Sequence, residues 1–210
     1  MSGMVSMTRV LFVLLFLSSC GNLPITYLQN FSSVNSVVFG FPEYEITEEL
    51  LNEYENSFIK VRFGRGPHAI LILAYVDDDV YEWVGADNVK IFTLNGRIIK
   101  TAGLPHNIEI LKPSDDFSPS IDLYETVNLF NPELFSATMN RSMDIRETTL
   151  QKLGRKIQVN RIEERFKIEV IGWKGVNIYY QNTSSDQIES SEQRIHPRLP
   201  VAKIEYYFKY

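Results

Sequence analysis

The sequence predicts a mainly β protein: a strongly curved or partly closed antiparallel sheet, open-barrel-like, with one short N-terminal helix. Three observations lead there. Short runs of β-branched and aromatic residues recur at roughly ten-residue spacing from Ser57 to the C-terminus, as in all-β sandwiches and barrels. Several runs alternate with period two, as Ile59, Val61 and Phe63 do against Lys60 and Arg62. Finally, Asn95-Gly96 separates "NVKIFTL" from "RIIKTA", and a type I′ hairpin turn needs positive φ at both central residues.

Taken in chain order, residues 1–19 read as a lipoprotein signal peptide. Arg9 precedes eight uncharged residues, Val10 to Leu17, and then the small residues Ser18 and Ser19. That run is shorter than the ~20 residues a spanning helix needs, and it fits the apolar region of a secretory signal. Leu17-Ser18-Ser19-Cys20 resembles a bacterial lipobox, in which the chain is cut before the cysteine and the new terminus is acylated. Cys20 is the sole cysteine, so it cannot form an internal disulfide, and its expected role is lipidation. Several acyl chains on one residue meet the two-signal requirement for stable anchoring. Residues 20–42 form the lipidated cysteine and a tether, uncharged and rich in Asn, Ser, Gly and Pro. Residues 43–210 form a single β-rich domain.

Within that domain, "YEITEELLNEYENS" carries the helix signal. Thr47 is the N-cap, Glu48 and Glu49 favour the first turn, Ile46 staples onto Leu51, and Leu50, Leu51 and Tyr54 share a face. Two or three turns are expected. "HAILILAYV" reads as a central, nearly continuous apolar strand, and "DDD" at 77–79 as the turn into "VYEWV". "SIDLYETVNLF" and "LFSATMNRSMDIRETTLQ" follow as strands around Pro132. In "RKIQVNRIEERFKIEVI" the apolar phase changes between Val159 and Ile162, which predicts a bulge or turn near Asn160. "VNIYYQN", "DQIESSEQRI" and "VAKIEYYFKY" complete the series. The last has aromatics on both faces, as in an end strand covered on both sides or offered to a partner.

Composition narrows function. The net charge of −5 and pI near 5.3, without clustered Lys or Arg, exclude nucleic acid as the main partner. His68, His106 and His196 stand singly and no zinc spacing occurs, so no metal or cofactor is expected. "VDDDV" lacks the glycine and terminal glutamate of a calcium loop. A glycan-modifying enzyme would need two carboxylates flanking a groove, and Asp122, Glu125, Glu163 and Glu164 are the candidates. Glu163 and Glu164 are adjacent and point apart in a strand, and exposed charge is the simpler expectation for the set. The candidate binding residues are Trp83, Arg97, Trp173, Tyr179 and Tyr206, although core packing accounts for most strand aromatics.

The run "SFIKVRFGRGPHAILILAYVDDDVYEWVGADNVKIFTLNGRIIKTAGLPHNI" resembles the YjbF/GfcB group of lipoproteins, in its apolar strand, Trp83-Val84, Asn95-Gly96-Arg97 and "TAGLPHN". The later "GWKGVNIYYQNTSSDQIESSEQRI", with Ser191-Glu192-Gln193, is similar to that family's C-terminal pattern. The resemblance implies an outer-membrane lipoprotein facing the periplasm. It further implies a non-enzymatic accessory in secretion or assembly of exopolysaccharide or group 4-type capsule. Export proteins are the expected partners, with a glycan second. The bottom-up alternatives are a glycan- or lipid-binding module using a groove in the curved sheet, and the paired-carboxylate enzyme.

Overall fold

The computed structural model describes residues 45–114 and 123–209. The signal peptide, Cys20, the tether and Asp122 lie outside the described residues. The described residues begin with α1 (Glu48–Glu53) and continue as β1 (Phe58–Phe63), β2 (His68–Asp77), β3 (Val80–Val84), β4 (Lys90–Leu94) and β5 (Arg97–Ala102). It proceeds through β6 (Asn107–Leu111), β7 (Leu123–Phe130), β8 (Leu134–Lys152), β9 (Arg155–Ile168), β10 (Trp173–Asn182), β11 (Ile188–Gln193) and β12 (Ala202–Tyr207). Each strand pairs antiparallel with the next in sequence, and β1 pairs with β12 from Phe58↔Tyr207 to Phe63↔Ala202. The curved sheet expected from the sequence is therefore a fully closed up-and-down barrel, with no free edge between its first and last strands.

The inner face carries the main core, including Ile59, Val61, Leu71, Trp83, Ile91, Val127, Ile162 and Ile204. The outer face carries ion pairs such as Lys100–Glu109, Asp144–Arg146 and Lys203–Glu192. A lipid-facing barrel has an apolar band outside and a polar interior, so this wall has the inverse arrangement. Where β1 and β12 meet, Phe58 and Tyr207 also bury their outward side chains, stacked at 4.9 Å. They are covered by Leu50 and Leu51 of α1, by Ile46 and Tyr54 that flank it, and by Leu153 from the β8–β9 turn. Both faces of the strand at Tyr206 and Tyr207 are thus occupied within the chain. Thr47 Oγ1 accepts from the Leu50 amide at 3.2 Å as a cap should, but α1 has six residues, shorter than expected.

Two strands depart from the sequence expectation. β2 is not a central buried strand: only Leu71 is fully buried, and Tyr75 and Val76 are exposed. In a barrel every strand turns one face outward, and only the part of β2 beneath α1, at Ile70 and Ile72, has its outer side covered. The phase change in β9 involves no bulge at Asn160. Its register runs unbroken against β8 from Met139↔Ile168 to Lys152↔Arg155, and against β10 from Ile168 to Val159. Instead, the far ends of β8 and β9 extend past the last β7 pairing, Leu123↔Arg141, as an arm. Its tip reaches Phe58 and Tyr207 on the outside of the barrel, so the face that was outward becomes the buried one.

The Asn95-Gly96 hairpin forms as predicted, with φ of 47° and 72°. Its turn lies against β11: a Cβ added to Gly96 would stand 2.6 Å from Ile188 Cβ and Cγ1. Gly96→Ala is expected to destabilise the fold by about 2 kcal/mol or more, from the left-handed backbone and the overlap together. Chemical denaturation checks this, and an unchanged midpoint would contradict the packing described.

Candidate functional site

A twelve-stranded barrel is wide enough to enclose a cavity, and side chains of the described residues pack into this interior. The filling is charged at its centre. Alternation along the strands turns Arg97, Glu125, Arg141 and Glu164 inward, all nearly inaccessible. Arg97 Nη1 and Nη2 donate to Glu125 Oε1 and Oε2 at 2.8 and 2.6 Å, and Arg97 Nε lies 3.3 Å from Glu164 Oε1. Arg141 Nη1 donates to Glu164 Oε1 at 2.7 Å, while its Nε stands 3.2 Å from Glu125 Oε2 without hydrogen-bond alignment. The four side chains thus form a closed, neutral ring in which each cation touches both anions. The second oxygen of Glu164 accepts from Asn177 Nδ2 and Tyr179 Oη, each at 2.8 Å.

A second network ties the hairpin to the ring's far side. Gln193 Nε2 donates to the Gly96 carbonyl at 2.8 Å and to Ser191 Oγ at 2.9 Å, and its Oε1 accepts from the Ile98 amide at 2.8 Å. Tyr206 Oη donates to the same Gly96 carbonyl at 2.6 Å. The Asn-Gly hairpin and the Ser-x-Gln strand, far apart in sequence, therefore meet across the interior. In the "TAGLPHN" segment, Asn107 closes the β5–β6 loop through the Leu104 amide and carbonyl, and Thr101 Oγ1 donates to Asn107 Oδ1 at 3.1 Å.

The sequence candidates take the following places. Arg97, Tyr179 and Tyr206 converge in these interior networks. Trp83 is fully buried, its Nε1–H donating to Thr93 Oγ1 at 2.8 Å, and Trp173 is half-buried, edge-on to Phe166 at 4.7 Å. Among the described residues, Tyr206 also borders an open cleft of about 260 Å³ with Leu51, Lys152 and Leu153, whereas the space beside the ring is about 20 Å³, room for one water. The exposed-charge expectation for the carboxylates is corrected for Glu125 and Glu164: alternation turns them inward, while Glu163 faces out to Arg161 and Arg165. Burial alone would raise the Glu164 carboxyl, but Arg97 and Arg141 outweigh it and hold it below the usual carboxylate range. A group kept ionised and sealed from solvent has neither the proton nor the access that a glycosidase acid requires.

Two features were not legible in the sequence. The first is that His106 and His196, read as isolated, stack at 4.9 Å and 11°. His196 is buried, and its Nδ1 accepts from the Arg198 amide at 3.1 Å. The second is a cleft between the β8–β9 arm and the outer wall of β10, β11, β12 and β1, with a volume of about 670 Å³. Lys152 latches the arm: its Nζ donates to Glu189 Oε2 at 2.6 Å, to the Glu189 carbonyl at 3.2 Å and to the Tyr206 carbonyl, and it lies over the Tyr207 ring. Glu189 reaches it because the pairing shifts from Tyr180↔Ser190 to Gln181↔Ile188, leaving Glu189 as the extra residue of a bulge. Among the described residues, no group of three or more His, Cys, Asp or Glu could hold a metal ion.

The family model described as "Group 4 capsule polysaccharide lipoprotein gfcB, YjbF" matches residues 31–206. The chain belongs to this family. It is 23% identical over 94 residues to the uncharacterized lipoprotein GfcB of Escherichia coli K12, covering 45% of this chain and 42% of that protein. It is 27% identical over 64 residues to the uncharacterized lipoprotein YjbF of the same organism, covering 30% of each. The chain thus spans less than half the length of the curated relatives it matches. The crystal structure of the hypothetical lipoprotein YmcC from Escherichia coli K12 superposes with a TM-score of 0.67 at 17% identity, over 85% of this chain and 96% of that one. The fold is shared.

Two outcomes follow for these networks. Glu164→Gln removes one anion and leaves two buried guanidiniums facing one carboxylate, so a loss of about 3–5 kcal/mol is expected in urea denaturation. An effect below about 1 kcal/mol, the scale of an exposed pair, would contradict a sealed ring. Burial, with His106 and Arg198 nearby, pushes His196 down from 6.5 to about 4. Because the folded value lies below the unfolded one, its stabilisation is present above pH 6.5 and is lost as pH falls from there toward 4. In thermal melts across that window, His196→Asn should show a shallower decline than the unaltered protein.

Proposed function

We propose that this protein is a non-enzymatic accessory in capsule or exopolysaccharide secretion or assembly, held by acylated Cys20 on the periplasmic face of the outer membrane. The observation that carries the reading is the match of residues 31–206 to a capsule polysaccharide lipoprotein family. The lipobox supports the anchor, and Gly21 stands where an inner-membrane retention signal commonly has Asp. The outer wall, studded with ion pairs, suits a barrel that rests beside a membrane and not within it. The sealed carboxylates favour a scaffold over a hydrolase, and export proteins are its natural partners.

The test replaces Cys20 with Ala in cells that export the polysaccharide. The variant should leave the outer-membrane fraction, and surface polysaccharide should fall to the level of a strain lacking the protein. A Cys20→Ala protein that stays in the membrane fraction and sustains full export would overturn the reading.

A further inference from the structure

Among the described residues the space beside the ring holds no more than a water, but the outer cleft has a volume within the range of small-molecule sites. We propose that this cleft binds a short uncharged stretch of polysaccharide, a few sugar rings long. The proposal rests on the capsule-associated role above and assigns it a site.

The floor of the cleft is set by strand register. Lys60 of β1, Glu205 of β12 and Ser190 of β11 lie opposite one another in one row, and Lys203 lies opposite Glu192 in another. Their outward side chains form two ion pairs, Lys60–Glu205 at 2.7 Å and Lys203–Glu192 at 2.9 Å, with Lys152–Glu189 closing the side beneath the arm. Each lysine has its own carboxylate. An ionic ligand would have to break a pair, whereas a hydroxyl both donates and accepts and can bridge an ammonium and a carboxylate without separating them. Sugars present such hydroxyls in rows and apolar C–H faces between them, and Leu150 and Tyr180 line the cleft with surface for those faces. The arm is already latched by Lys152, so the opposing wall need not be ordered when the ligand enters.

The experiment is isothermal titration of the full-length lipidated protein in detergent micelles. The probe is a four- to eight-sugar fraction from partial hydrolysis of the polysaccharide the source cells export. Three variants accompany it: Glu192→Ala with Lys203→Ala, which removes the rim pair; Ser190→Trp, which fills the floor; and Asp144→Ala with Arg146→Ala, a pair away from the cleft. Binding by the unaltered protein, weakened at least about tenfold by the first two and unchanged by the third, is expected. Absence of binding at millimolar fragment, or undiminished binding by Ser190→Trp, would overturn the cleft assignment. Export measured in the same strains separates the two ideas. A deletion strain that loses surface polysaccharide while the protein binds no fragment removes the cleft and keeps the accessory role. A deletion strain that exports normally while the protein binds the fragment keeps the cleft and removes that role.

Discussion

Four charges sealed inside the barrel constrain everything around them. Arg97, Glu125, Arg141 and Glu164 come from β5, β7, β8 and β9, so the ring closes only when the whole middle of the barrel is in register. A slip of one residue in any of these strands would turn its charge to the outer face and leave one of the remaining three without a counter-charge. Hydrophobic residues tolerate such errors better, because an apolar side chain packs against many neighbours. Buried ions do not, because a displaced charge leaves a partner buried and uncompensated.

The same filling decides where function cannot lie. Trp83, Tyr179 and Tyr206 supply bulk, the Asn95-Gly96 turn inserts its Gly96 carbonyl between Gln193 and Tyr206, and the ring occupies the remainder. On the outer wall, the β8–β9 arm makes a concavity that the barrel alone lacks. A bulge at Glu189 and the half-buried Lys152 hold that arm, and burial lowers the Lys152 amine while Glu189 opposes that shift.

Much of the fold was legible because it is local. The Asn-Gly turn, the period-two runs, the Thr47 cap and the acidic turn at 77–79 each depend on a few adjacent residues, and each stands where the sequence places it. The errors have a common origin. β2 reads as central because its residues are apolar, but the cover over Ile70 and Ile72 comes from a helix nearly 20 residues earlier. The phase change in β9 reads as a bulge because a sequence cannot say that a strand leaves one core and joins another layer. The candidate residues suffer the same ambiguity: an aromatic in a strand looks alike whether it faces a sugar or a core.

By itself the sequence determined the class of fold, the hairpin positions, the expected site of lipidation and a likeness to capsule lipoproteins, all carried by patterns within short windows. Only the tertiary structure decided that the sheet closes, that Glu125 and Glu164 meet between two arginines, that His106 stacks on His196, and that a cleft exists under the arm. These depend on which side chains converge from strands distant in the chain. Closure and register set that convergence jointly, and no local periodicity encodes it.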